Sequence, residues 1–441
     1  MTYPGSGGQW QPEQPPYQPQ QYGHGSWPTA TQPPRRRSRR GLVIGIVIAI
    51  VVVAGGTAAT VWALNRSTQA GSATPQAAVA KLAADVSAGD LLGVQSDLAP
   101  AEAAAIKDIG ADGSNQLKRL QIENPGYAPQ TQAANGAGGL SASGLRFDAA
   151  NAQTINDHLV INKLVGGTIR LSPKLDQNMF TQQFLRSAFP NGLPKTPSNT
   201  IDIADVIRRT GQPVRIATIK VNGGWYTSVF YTAADYALQS ARLTWPATSL
   251  PATGQYTADN AVRSFAQALL NADYQAAIEA TDPNEMAVLH DAGTALLNRL
   301  HKPTPTGITI DTITFTDKPV AGGVDAVLRS ATLRKGGDTL SIQAQHACYA
   351  IADQNTGDQR TLCPSDFAGQ MQSDLAGLPP DVTTALQHLT SGILTSGLGL
   401  VATETGGRWY VSPARSVGEL LVAMVSGLQP DDIKALLGEN H

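Results

Sequence analysis

Two stretches of the chain lie over one another without a gap: TPQAAVAKLAADVSAGDLLGVQSDLAP at 74–100 and TADNAVRSFAQALLNADYQAAIEATDP at 257–283, 183 positions apart. Ala78 and Val79 fall on Ala261 and Val262, Leu82 on Phe265, Val86 on Leu269, Asp90 on Asp273 and Pro100 on Pro283. A second landmark shares the spacing. GGWYTS at 223–228 returns as GGRWYVS at 406–412, so Trp225 and Tyr226 precede Trp409 and Tyr410 by 184 positions. Two landmarks with one spacing predict an internal duplication. The copies run from 74 to 242 and from 257 to 436, joined by a linker at 243–256 that carries LTWPATSLPATGQ. Whatever fold the chain adopts must therefore be built twice.

Within each copy the first landmark has helical spacing, with apolar residues at 79, 82 and 86 and again at 262, 265 and 269. Thr74 suits an N-cap and Pro75 the first helical position. Gly89 stops the first helix, and Asp90 can cap a short helix after it; Ala272 and Asp273 hold the same places. Asp90 and Asp273 have a functional reading as general bases in a pocket, but capping explains both without chemistry. The second landmark alternates apolar and polar residues around a glycine reversal, which predicts a hairpin in each copy. Trp and Tyr then point to opposite faces of the returning strand, either as core packing or as an aromatic platform for a ligand.

A helix pair broken at Gly89-Asp90 or Ala272-Asp273, followed by strands and a closing strand announced by G-G-x-W-Y, resembles the nuclear transport factor 2-like (SnoaL-like) superfamily. The resemblance covers the two ends of each copy. It implies an α+β fold, two tandem cone-like domains in which a curved antiparallel sheet wraps helices around a cavity. APQTQAANGAGGLSASG at 128–144 reads as a loop confined to the first copy, and TAADYALQSA and SVGELLVAMVSGLQPDDIKALL continue each copy past its closing strand as helix.

Residues 1–34 are dominated by Pro and Gln with no apolar periodicity, so the tail through residue 40 is expected to be disordered, a tether or a docking segment for a cytoplasmic partner, with Thr29 and Thr31 open to phosphorylation. RRRSRR at 35–40 precedes the uncharged run LVIGIVIAIVVVAGGTAATVWAL at 42–64. As a helix that run is roughly 34 Å long, enough to span a bilayer, and the arginines on its N-terminal side place the tail in the cytoplasm and the copies outside. A transmembrane helix at 41–64 is thus expected, a retained anchor in the membrane. The chain has 32 basic and 34 acidic residues; five arginines and one glutamate precede the run, which leaves 27 against 33 beyond it, or net −6. Without a basic stripe, nucleic acid is not an expected partner. The whole arrangement resembles envelope proteins of high-GC actinobacteria.

The two cysteines, Cys348 and Cys363, both fall beyond the run at 42–64 and are expected to form a disulfide closing a loop of about 15 residues, worth ~3 kcal/mol in the chain-entropy model. His346 with both thiols is the metal-site alternative, short of a fourth ligand. No G-x-S-x-G, S-x-x-K, H-E-x-x-H or P-loop occurs, and GLGLVA at 397–402 enters a strand where a dinucleotide motif must open a helix. His158, His290, His301 and His388 are dispersed, and the adjacent His290-Asp291 pair diverges on a helix. The expected function is a binding or scaffold protein of the cell envelope that engages another envelope protein or a wall polymer, with no catalysis, cofactor or metal. The alternatives are a carrier of a lipid or lipid-linked wall precursor in a cone cavity and a SnoaL-like hydrolase or isomerase.

Overall fold

Thr74 opens the first helix by accepting a hydrogen bond from the Ala77 amide at 3.1 Å, the N-cap that starts α1 (Pro75–Ala88). The chain reverses at Gly89, in the left-handed region at φ 69°, and Asp90 then accepts from the amides of Leu92 and Gly93 to cap α2 (Leu91–Ser96). One repeat later Thr257 caps α7 (Ala258–Leu270) through the Asn260 amide, and Asp273 caps α8 (Tyr274–Glu279) through the Ala276 amide. Ala272 holds the reversal there at φ 55°, a conformation that costs a residue with a Cβ roughly 1–2 kcal/mol.

The computed structural model describes residues 71–127, 139–172, 176–193, 198–300, 304–366 and 379–437, all within one compact unit. After α2 the first half continues with α3 (Pro100–Arg119), β1 (Leu140–Phe147), β2 (Gln153–Thr154), β3 (Leu159–Leu171), α4 (Gln182–Ala188), β4 (Asn199–Asp202), α5 (Ile203–Thr210), β5 (Val214–Val221), β6 (Gly224–Ser228) and α6 (Val229–Ser240). The second half continues after α8 with α9 (Ala287–Arg299), β7 (Ile308–Val320), β8 (Gly323–Lys335), β9 (Asp338–Gln345), β10 (Cys348–Asp353), β11 (Gln359–Leu362), α10 (Pro380–Ser396), β12 (Gly399–Thr405), β13 (Arg408–Val411), α11 (Pro413–Ser426) and α12 (Pro430–Leu437). Each half has its own antiparallel sheet, β1-β3-β5-β6 with β2 and β4 paired to β3, and β11-β10-β9-β8-β12-β13 with β7 paired to β8. The helix that opens each half lies on that half's sheet and buries Ala78 and Val79, or Ala261 and Val262. The architecture is α+β.

One part of the expected fold class is corrected. No helix among the described residues is long and apolar enough to cross a membrane. The longest of them, the 20-residue α3, carries Glu102, Lys107, Asp108, Asp112, Lys118 and Arg119, charges that hydrocarbon does not tolerate. The run at 41–64 and the tail at 1–40 lie outside the described residues. A second correction concerns 128–144. Residues 128–138 lie outside the described residues, but 140–147 form strand β1, in register with β3 from Leu140↔Leu171 and bulged between Ser143 and Arg146. Pairing with a long neighbouring strand overrides the weak strand propensity of a Gly/Ser-rich stretch.

The Trp-Tyr landmark is explained by the residues just ahead of each opening helix. The Trp225 backbone bridges Ser72, and the Trp409 backbone bridges Gln255, both antiparallel. Gly71 and Gly254 lie against the neighbouring tyrosine rings: a Cβ would come within 2.6 Å of Tyr226 at the first and 2.5 Å of Tyr410 at the second. Tryptophan thus supplies a backbone edge and tyrosine a ring that only glycine can cover.

The halves share their cores. One cluster gathers Leu159, Ile161, Ala217, Ile219 and Tyr231 of the first half with Val288 of the second. Another gathers Leu117, Leu120, Ile122, Phe180 and Phe184 with Leu428 and Ile433. A third, around Val262, Ala326, Ala402 and Val411, belongs to the second half. Burying side chains of this size contributes roughly 1.5–3 kcal/mol each, so much of each half's stability depends on the other. Contact runs through helices, α3 against α11 and α9 against α6.

Candidate functional site

The helix contacts between the halves are reciprocal. Asp108 of α3 accepts from Arg415 of α11 at 2.5 Å; 183 and 184 positions away, Asp291 of α9 accepts from Tyr231 of α6 at 2.6 Å. Beneath each contact sits a buried Glu–Ser pair, Glu102 accepting from Ser228 and Glu285 from Ser412. Each serine also N-caps the helix that follows, through the Tyr231 or Arg415 amide. Glu102 takes the Val229 amide at 2.8 Å on its other oxygen, whereas Glu285 takes Arg415 Nε at 2.9 Å. Burial raises both glutamates above the usual carboxylate range, against the hydrogen bonds from their serines.

Around Asp291 the second half meets three donors. Tyr231 and His158 reach its Oδ2, the imidazole at 2.7 Å, and Ser249 of the linker reaches its Oδ1. His158 is bonded on its other nitrogen to Asp157 at 2.9 Å. The bond to Asp291 outweighs the desolvation of the ring and pushes the histidine up to about 9. Burial would raise Asp291, but its bonds from His158, Ser249 and Tyr231 together hold it below the usual range. Burial and the Asp291 charge push the Tyr231 phenol up. At neutral pH the histidine is a cation and the aspartate a carboxylate that accepts from three donors. The protonated imidazole is no base, and Ser249 gives its proton to a carboxylate instead of an imidazole, so the group lacks the order of a nucleophilic triad.

A cleft of about 360 Å3 opens in the first half, bordered by Gln153, Lys163, Gln212, Arg215, Gln239 and Trp245. Its floor is Asp235, which is 2% exposed and accepts from Arg215 Nε at 2.5 Å, Arg215 Nη2 at 3.0 Å, Gln239 at 2.7 Å and the Trp245 indole at 3.0 Å. Arg215 also donates to Gln153 at 2.9 Å. Trp245 stacks on Tyr231 with centroids 5.7 Å apart and planes 21° apart. The repeat places Gly399 and Glu419 where this half has Arg215 and Asp235. Without an arginine partner, and with Asp112 and Asp325 nearby, Glu419 is pushed up to about 7, chiefly by burial.

Asp90 and Asp273 lie at helix starts, away from the cleft lining, and Trp225, Tyr226, Trp409 and Tyr410 lie on β6 and β13. Cys348 and Cys363 form a disulfide that ties the start of β10 to the residue after β11. With both thiols oxidised, the metal alternative with His346 has no thiolates to use. Among the described residues no group of three or more His, Cys, Asp or Glu could hold a metal ion. His290 faces Thr281, its Nε2 3.1 Å from the carbonyl, while Asp291 beside it finds His158; His301 lies outside the described residues. The sequence reading took His158 as one of several dispersed histidines and missed Tyr231, Ser249, Arg415, Arg215 and Asp235. The Glu102/Glu285, Asp108/Asp291 and Ser228/Ser412 matches at the repeat spacing are the signals that point towards this region.

No protein-family model matches the chain. No curated protein matches it. Among solved structures, an Ntf2 like protein involved in plasmid conjugation is 10% identical over 67% of this chain and 91% of its own, at a TM-score of 0.13. A likeness that loose carries no argument.

Proposed function

We propose that residues 71–437 form a non-catalytic binding module of the cell envelope, working outside the cytoplasm on a wall polymer or another envelope protein. The observation that carries this reading is the convergence of His158, Tyr231 and Ser249 on one carboxylate, Asp291, so that the side chains best suited to catalysis are occupied in joining the halves. The Cys348–Cys363 disulfide supports an oxidising compartment. The order of three helices, antiparallel strands and a closing hairpin in each half supports the nuclear transport factor 2-like assignment of the repeat unit. Lipid carriage has less support, because Lys163, Arg215, Asp235 and three glutamines interrupt the apolar wall of Pro213, Leu238, Leu243 and Trp245, where an acyl chain needs a continuous one.

Co-sedimentation of the full chain with insoluble wall polymer tests the reading, together with mass spectrometry of the polymer before and after incubation. Saturable retention with unchanged polymer mass is expected. Release of fragments that disappears in Asp291→Asn or His158→Gln would replace binding with hydrolysis.

A further inference from the structure

Lys163 and Arg215 are register partners on β3 and β5, so both side chains leave the same face of the sheet. Cβ atoms in that relation are roughly 5 Å apart, and like charges directly opposite destabilise a sheet. Arg215 is neutralised by Asp235 through two hydrogen bonds. Asp235 has no capacity left for a second cation, since Gln239 and Trp245 take its remaining lone pairs. Lys163 forms no ion pair among the described residues. One uncompensated positive charge therefore borders the cleft.

The rest of the lining limits what the anion can be attached to. Gln153, Gln212 and Gln239 bring amides, each both donor and acceptor, which match hydroxyl groups that are also both. Trp245 brings a flat apolar ring whose plane is fixed by its stack on Tyr231 and its bond to Asp235. About 360 Å3 is near the lower end of small-molecule sites, which run from roughly 300 Å3 upwards. Nucleic acid would need several free cations along a groove, and this cleft has one.

We propose that this cleft binds a sugar acid, a ring carrying hydroxyls and one carboxylate, with the carboxylate paired to Lys163 and the ring hydroxyls to the glutamine amides. The inference rests on the reading of the chain as a binding module and names the ligand class for it. One site per chain follows, because the equivalent place in the second half has Gly399 for Arg215 and Val327 opposite it in register. Asp325 lies against Gly399 there, with Lys318 as its neighbouring cation, so among the described residues no unpaired positive charge faces that place.

Titration calorimetry on the full chain decides the matter, with digalacturonate and diglucuronate as acidic probes, maltose as the neutral probe and inorganic phosphate as the simple anion. The expected result is one-to-one binding of at least one acidic disaccharide, weakened tenfold or more by Lys163→Gln and retained by Lys163→Arg, with maltose indifferent to both changes. Equal binding by the Lys163→Gln protein overturns the proposal. So does phosphate binding as tightly as the disaccharides and competing with them, or no binding of either acidic probe at millimolar concentration. Those results leave a non-catalytic role standing, whereas cleavage of the polymer in the previous experiment removes that role and leaves Lys163-dependent affinity intact.

Discussion

Asp291 accepts a hydrogen bond from Tyr231 at 2.6 Å, although the two residues belong to different halves and 60 positions separate them. Tyr231 is 2% exposed and Asp291 7%, so the bond is made away from water. Tyr231→Phe keeps the stack on Trp245 and removes one of three donors to a buried carboxylate. It is expected to cost about 1–3 kcal/mol in urea unfolding. Because the cores are shared, one transition should remain. Two separated transitions would show that the halves fold independently.

Acidity should strengthen the fold through the neutral range. His158 rises from an ordinary 6.5 to about 9, so its contribution is full below 6.5 and lost as the pH climbs to 9. Glu419 rises from 4.5 to about 7, and the contribution of its neutral form is lost over that lower window. Asp291 works in the opposite sense, since its contribution is present above the ordinary carboxylate value and lost in strong acid. The melting temperature is therefore expected to fall from pH 5 to pH 9. Glu419→Gln should flatten the profile between 4.5 and 7, and His158→Gln between 6.5 and 9. A wild-type profile flat from pH 5 to 9 would contradict both assignments.

What the sequence made legible was local. The caps at Thr74, Asp90, Thr257 and Asp273 and both hairpins involve partners within a few residues, so pattern alone locates them. Glu102 and Glu285 stand two residues beyond the aligned block that ends at Pro100 and Pro283, close enough for a longer alignment to find them. Asp108 and Asp291 also match, but their partners do not: Arg415 stands where the first half has Tyr231, so the reciprocal contact changes chemistry and leaves no sequence trace. Lys163 and Arg215 meet only because β3 and β5 pair across 52 positions, and no turn signal announces that register.

The two interhelix reversals offer a paired substitution. Gly89 at φ 69° and Ala272 at φ 55° hold the same place in the repeat, and only the glycine is free of Cβ strain. Ala272→Gly is expected to stabilise by about 0.5–1 kcal/mol and Gly89→Ala to destabilise by about 1–2 kcal/mol, both read from denaturation midpoints. An Ala272→Gly protein less stable than the parent would show that this turn is shaped by something other than its backbone.

Thiol labelling of the unreduced chain should find no free cysteine. Replacing Cys348 and Cys363 by serine opens a loop of 15 residues and is expected to lower stability by up to about 3 kcal/mol. Hydrogen exchange should rise first in β10 and β11, at the edge of the second sheet.

The reciprocal contacts of α3 with α11 and α9 with α6 have the pattern of an isologous interface, the kind that joins identical subunits about a two-fold axis. In a homodimer, every substitution appears on both sides of that axis at once. Here one gene product supplies both sides, so Lys163 and Arg215 can border a cleft in one half while Val327 and Gly399 stand in register in the other, and one sheet can gain a disulfide while the other does without. Joined this way, the pair keeps the packing of a dimer and gains two unlike ends, one of which can specialise in recognition while the other is selected for stability or a different contact.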